Sequence, residues 1–235
     1  MDMHSVKLDW ITPDAEKVIA RHARVSTADP DRDEYARLLS YCIKHGHWSI
    51  LEQANVSFEI ITSRAISAQL IRHKSLCFQE LSQRYCNPFE VISGVHDQPS
   101  EFSIRKQAEK NRQSSTEELD TGLVALFRDR IYKVDCELHS LYNDMLKAGV
   151  ARECARNILP LYTPTRLHAQ GTIRSWVHYV GLRGKEDTQL EHQLIARQIA
   201  MLLDLELPTV VKAVVQTQDP SLDGWRFLSE HRSLA

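Results

Sequence analysis

Glycine is scarce in this chain: there are 8 in 235 residues, alongside 8 prolines. That excludes collagen-like repeats, low-complexity tracts and a largely disordered chain. It also removes glycine loops that cradle phosphates, since neither G-x-G-x-x-G nor G-x-x-x-x-G-K-[S/T] occurs. Aromatic residues make up 7%, which argues against a nucleic-acid stacking platform. Neither charge dominates: 29 Lys and Arg stand against 31 Asp and Glu, a net charge of −2. A globally basic nucleic-acid binder is therefore not expected. No apolar run approaches the roughly 18 residues of a membrane span, so no membrane partner is expected. The opening MDMHSVKLDW has no basic region, apolar stretch or small-residue cleavage site, so no signal peptide is expected either. Cys42, Cys77, Cys86, Cys136 and Cys154 are scattered and form no C-x-x-C. Reduced thiols in a cytoplasmic chain fit this better than a disulfide framework or structural zinc.

What is present is a 43% hydrophobic chain, long enough to bury a core and read as a single domain over 1–235. SVKLDWIT reads as a first strand. Pro13-Asp14 opens a helix to Arg24, and Arg32–His45 reads as a second helix closed by Gly46. NVSFEIIT is rich in strand formers, and SRAISAQLIRH has helical spacing with Ser63 as its cap. Residues 86–117 hold few large apolar groups and read as a long loop segment, a length that goes with function or mobility. Then Leu119, Leu123, Leu126, Phe127, Ile131, Val134, Leu138, Leu141 and Met145 recur in steps of three and four, a long amphipathic helix ended by Gly149. Such length suits packing against a partner chain as well as the chain's own core. Helices over Val150–Ile158, Arg174–Leu182 and Asp187–Asp204, and a strand over Thr165–Ile173, complete the pattern. Strands and helices mix without regular alternation, so the expected class is α+β, with a mixed or antiparallel sheet and long helices.

Three stretches carry chemistry. RHKSLCFQELSQRY, residues 72–85, places Arg72, His73, Lys74 and Arg84 together with Glu80, Ser82 and Tyr85 where an apolar helix ends. Those donors need anions, or a solvated helix end whose cations answer its dipole. Arg152, Arg156, Arg166, Arg174 and Arg183 form a second series. Guanidinium groups fork onto phosphate and carboxylate, so a small polyanion is one partner; pairs with Glu153, Glu186 and Asp187 are the other. KHGHWSILEQ, residues 44–53, has His45 and His47 but no further ligand at zinc spacing, so no metal is expected and a cofactor-holding loop is the better reading.

These stretches together resemble the flavin-dependent thymidylate synthases, over roughly residues 20–85 and 149–203. The family's spaced signature stands here as Arg72-His73-Lys74 and then Glu80-Leu81-Ser82-Gln83-Arg84-Tyr85. ARVS at 23–26, HGHWSILE at 45–52, ECARNILP at 153–160 and IRSWVHY at 173–179 support it. The resemblance implies a homotetramer whose sites are shared between subunits. Each site would bind FAD, with NADPH as reductant, and move a methylene group from methylenetetrahydrofolate to dUMP. A UMP-methylating or pyrimidine-hydroxymethylating relative is the alternative.

By the same resemblance Gln69, Arg72, Arg156 and Arg183 hold the nucleotide, with Glu80, Leu81, Ser82, Gln83 and Arg84 arriving from a neighbouring subunit. Ser26, Ser49, Glu52, Arg72, His73, Lys74, Gln79, Arg174 and His178 line the FAD site. Arg183, Arg72 and His73 are the implied catalytic groups. Physically, Arg84 and Arg156 suit a phosphate, and the Gln69 amide can both donate to and accept from a uracil edge. Ser82 has no His–Asp partner at readable spacing, so it is not expected to act as a nucleophile. Lys74, Cys77, Gln79, Thr172 and His178 depart from the family's usual residues. Lys74 keeps the charge but loses the planar fork.

Overall fold

Two strands carry most of the sheet's burial, and their sequences say why. The computed structural model describes residues 3–92, 103–116 and 119–229. In it β2 (Asn55–Ser63) is buried along nearly its whole length, as its continuous run of β-formers requires. β6 (Pro164–Thr172) alternates instead, hiding Thr165, Leu167, Ala169 and Gly171 and exposing His168 and Gln170. With β1 (Ser5–Ile11) and β3 (Cys77–Glu80) they form a sheet of order β1-β2-β6-β3. β4 (Lys106–Gln107) and β5 (Ser115–Thr116) pair antiparallel as a separate small hairpin. The helices are α1 (Ala15–Ala23), α2 (Ala36–Lys44), α3 (Arg64–Leu70), α4 (Pro88–Val91), α5 (Thr121–Lys147), α6 (Arg152–Ala155), α7 (Ile173–Arg183), α8 (Leu190–Glu206) and α9 (Pro208–Gln216). The α+β class and the antiparallel character of the sheet are as expected. Among the described residues, no helix is long and apolar enough to cross a membrane.

The chain divides into two compact units. Residues 6–60, 71–78 and 168–235 form one, here the helical unit; residues 1–5, 61–70 and 79–167 form the other, the motif-tip unit. In the helical unit Phe58 meets Trp176 edge-on, with centroids 5.0 Å apart, and the Trp176 indole donates to the Val56 carbonyl at 3.1 Å. Trp225 likewise donates to the Val177 carbonyl at 2.9 Å. Both indoles thus bury their rings and satisfy their one polar atom. Ile195, Ile199 and Leu203 of α8 are fully or almost fully buried. The Glu16 carboxylate accepts from the Val210 amide at 2.8 Å, capping the positive end of α9. In the motif-tip unit Ile61 and Ile92 pack with Met3 and Leu81.

The long helix is there, from Thr121, with the Asp120 carboxylate capping the Leu123 amide at 3.0 Å. Gly149 has φ 87, the left-handed backbone that glycine adopts without strain. The second helix begins at Ala36, not Arg32, and the buried Arg24 explains the difference. Its guanidinium donates to the carbonyls of Arg32 and Glu34, which holds that stretch out of the helix. Helix 150–158 is only one turn, α6, continued by a 3-10 turn over Arg156–Ile158. Within the expected 86–117 loop, α4 and the β4–β5 hairpin are formed, while 93–102 and 117 lie outside the described residues.

One glycine contact bears directly on the position of Arg183. α7 closes against a 3-10 turn over Pro220–Trp225, where a Cβ on Gly224 would overlap the Val180 carbonyl oxygen and meet the Gly181 carbonyl oxygen at 2.7 Å. These obstacles are backbone, which cannot swing aside. Gly224→Ala should therefore destabilise the protein by about 2 kcal/mol or more, read as a lowered denaturation midpoint. A midpoint equal to wild type would show that this turn moves freely.

Candidate active site

In the helical unit the expected cofactor residues fall into two side-chain groups. The first is built on the end of α7. Arg183 donates from Nε to His73 Nε2 at 3.0 Å. The His73 ring stands edge-on to Tyr179, at 5.0 Å and 78°, and to His192, at 6.3 Å and 88°. Burial, and then the Arg183 charge, push His73 down to about 4. His73 is therefore a neutral imidazole at physiological pH. Arg72 and Lys74, on either side of it, are exposed and make no hydrogen bond or ion pair among the described residues.

The second group surrounds a cleft of about 760 Å³, whose lining includes Arg21, His22, Ser49, Glu52 and Gln53. Arg174 pairs with the Glu52 carboxylate. His178 packs against Trp48, with centroids 5.7 Å apart. Burial, followed by the Arg174 charge, lowers the His178 pKa. Ser26 is exposed, one residue beyond Val25 of the cleft. Thr172 is a helix cap: its hydroxyl accepts from the Ser175 amide at 3.1 Å. A Cβ on Gly171 would overlap the Leu76 side chain, so glycine there lets the signature segment lie against β6.

In the motif-tip unit Glu80 is anchored, not free. Its Oε1 accepts from Ser67 at 2.6 Å and Thr165 at 3.0 Å, and pairs with Arg64 at 2.5 Å. Those bonds fix the strand end from which the signature's second half projects. Ser82 then starts a turn. Its carbonyl accepts from the Tyr85 amide at 3.0 Å, and its hydroxyl from the Arg84 amide at 3.4 Å. The turn thrusts Tyr85 outward, 87% exposed. Arg84 is also exposed, pairing with Glu153 at 3.3 Å. Gln83 is buried, and its amide nitrogen has no hydrogen-bond partner among the described residues. Leu81 packs in the small core, and Gln69 and Gln79 lie at the ends of α3 and in β3. Arg156 is half-buried and has no ion pair among the described residues.

Of the carboxylates considered for the second arginine series, Glu153 pairs with Arg84, while Arg174 and Arg183 find Glu52 and His73 instead. The family described as thymidylate synthase complementing protein matches residues 7–209. A flavin-dependent thymidylate synthase of Synechocystis sp. is 40% identical over 199 residues, covering 85% of this chain and 89% of that one. A probable flavin-dependent thymidylate synthase of Paramecium bursaria Chlorella virus 1 is 42% identical over 205 residues, covering 85% and 90%.

The chain belongs to the flavin-dependent thymidylate synthase family.

The fold agrees with that membership. A crystal structure of a UMP/dUMP methylase, PolB from Streptomyces cacaoi, bound with 5-Br UMP, aligns with a TM-score of 0.76. Identity is 21%, over 92% of this chain and 95% of that one. Two residues of this family member escaped the sequence reading. Tyr179 ends the IRSWVHY stretch and reads as ordinary core. His192, with Gln193 beside it, is a polar interruption in the otherwise apolar buried face of α8, which is a usable signal. Both are buried, and both meet the His73 ring.

Proposed function

We propose that this protein converts dUMP to dTMP, with methylenetetrahydrofolate as carbon donor, NADPH as reductant and FAD as cofactor. The reaction balances as dUMP, methylenetetrahydrofolate, NADPH and a proton giving dTMP, tetrahydrofolate and NADP⁺. The observation that carries the reading is the signature itself: cations and an anchored Glu80 at the family's spacing, with Arg72, Lys74 and Arg156 lacking ion-pair partners among the described residues. Charged donors without carboxylates suit bound phosphates.

The donor set fits FAD. Ser49 and Glu52 line a cleft within the size range of ligand sites. Ser26, Arg174 and His178 add hydrogen-bonding groups, and Arg72 and Lys74 supply charge for the pyrophosphate. The bound flavin supplies hydride chemistry; the protein supplies orientation and charge. Arg84 and Arg156 hold the nucleotide phosphate, and the Ser82 hydroxyl donates to it. Gln69 meets the uracil edge. Arg183 stabilises negative charge that develops on the uracil carbonyls as C5 attacks the methylene carbon, a contribution worth on the order of 10²–10³ in rate.

We further propose that the enzyme is a cytoplasmic homotetramer with shared sites. Two features support self-association. The turn carrying Arg84 and Tyr85 projects outward, and α5 buries only Asp135 and Tyr142 along its 27 residues. The test is direct. Purified protein should be yellow and should convert dUMP only when both NADPH and methylenetetrahydrofolate are supplied. Turnover of UMP in place of dUMP would assign the ribonucleotide, while a colourless protein that takes up no FAD would refute the proposal.

A further inference from the structure

The hydrogen bond between Arg183 and His73 fixes more than a position. A guanidinium has five N–H donors, no acceptor, and does not deprotonate in proteins. Because Arg183 Nε donates to His73 Nε2 at 3.0 Å, that nitrogen offers its lone pair and the ring's proton is on Nδ1. We propose that His73 works as a neutral Nδ1–H imidazole, a fixed donor to a planar heterocycle's carbonyl or ring nitrogen, and that Tyr179 and His192 are positioning residues that hold it so. The inference rests on the proposed flavin and nucleotide site, but its first test does not.

The surroundings enforce this state. A second proton on Nε2 would set an imidazolium against the Arg183 guanidinium. Among the described residues, the groups facing the ring from packed elements are Tyr179 and Arg183 of α7 and His192 of α8; beside it in sequence are the cations Arg72 and Lys74. None is an anion. Tyr179 is 2% exposed, and burial raises its pKa, so its phenol keeps its proton. His192 is fully buried and is held down to about 3, by burial first and then by Arg183 and His73. Two neutral rings, 5.8 Å apart, thus brace His73.

His73 Nδ1 has no partner among the described residues, and the ring is half-buried. Its N–H is left for a ligand. The consequence is chemical: His73 donates a hydrogen bond but carries no proton back and forth near neutral pH. General acid–base work in the reaction then falls to another group or to water.

Long-range proton–nitrogen spectra of the ¹⁵N-labelled full-length protein, free of ligand, test the tautomer. Between pH 8 and 5 His73 should show a protonated Nδ1, a bare Nε2 and no titration. An Nε2–H ring, or a midpoint near 6.5, would overturn the proposal whatever the protein binds. Adding FAD alone and dUMP alone then tells which heterocycle accepts from Nδ1: the Nδ1–H resonance should shift with one of them. If neither moves it, the donor role is wrong. If the tautomer stands and FAD does not bind, the flavin reading fails while the tautomer survives.

Positioning is tested by carrying the same titration down to about pH 3, through the expected midpoint near 4. His192→Ala and Tyr179→Ala each admit water beside His73 and should raise its midpoint by about one pH unit toward its ordinary value. His192→Phe keeps a ring there and should leave the midpoint in place. A midpoint unmoved by both alanine variants would remove the positioning role, and the wild-type spectrum remains decisive should a variant fail to fold.

Discussion

Arg156→Ala should weaken dUMP binding on the order of 10²–10³-fold while leaving FAD binding unchanged. Arg156 is half-buried, follows the single turn of α6, and has no ion pair among the described residues. Removing one member of a close charge pair costs roughly 2–5 kcal/mol, and each 1.4 kcal/mol is about tenfold in affinity. Arg156→Lys keeps the charge but not the fork, so its loss should be intermediate. Arg84→Ala should cost less, because Arg84 has 61% of its side chain exposed and already shares its charge with Glu153. Titration calorimetry with dUMP and with deoxyuridine separates the causes. The Arg156→Ala loss should be large for dUMP and small for the nucleoside, which has no phosphate. Equal losses for both, or none for dUMP, would remove Arg156 from the proposed phosphate site.

Much of this was legible in the chain because local rules and tertiary packing agreed. β2, α3, α5, α7 and α8 announce themselves by period and caps, and Gly149 marks the end of α5 as φ 87 requires. The signature was legible for a different reason: Arg72-His73-Lys74 and Glu80-Leu81-Ser82-Gln83-Arg84-Tyr85 stand at the spacing of a known family, whereas their charge alone fits a solvated helix end equally well. What was not legible depended on partners far apart in sequence. Arg24 holds 32–35 out of helix through backbone carbonyls, which no pattern of side chains encodes. β3 is four residues long, and α9 is rich in valine, which sits less easily in a helix. Glu80 reads as a ligand group by position, yet its Oε1 is occupied by Arg64, Ser67 and Thr165. The His73 environment required the fold, since Tyr179 and His192 lie over a hundred residues away in sequence.

Replacing Phe127 and Val134 together by Asp should break the proposed homotetramer and reduce turnover by more than about a hundredfold without unfolding the chain. Phe127, Ile131, Val134, Leu138, Leu141 and Met145 follow steps of four and three, the 3.5-residue period of helices that pack along a seam. Phe127, Val134 and Leu141 are 40%, 56% and 48% exposed, so the chain's own core leaves this seam substantially open. Phe127, Ile131, Val134 and Leu138 also line an apolar groove of about 470 Å³ with Tyr162. Covering a large apolar side chain contributes about 1.5–3 kcal/mol, whereas burying an unpaired carboxylate costs several. Two aspartates per helix would therefore reverse the sign of such an interface while adding no buried charge to a lone chain. Asp135 and Tyr142, the buried residues of α5, are untouched, and Tyr162 still donates to Asp135. Light scattering should show a smaller particle and circular dichroism an unchanged helix content. If sites are shared between copies, activity should fall with the assembly and return in neither dilution nor excess FAD. A double variant that keeps a tetrameric wild-type mass would show that the copies meet elsewhere, and a wild type of single-chain mass would refute the proposed homotetramer. One that dissociates but retains full turnover would show that each chain carries a complete site alone.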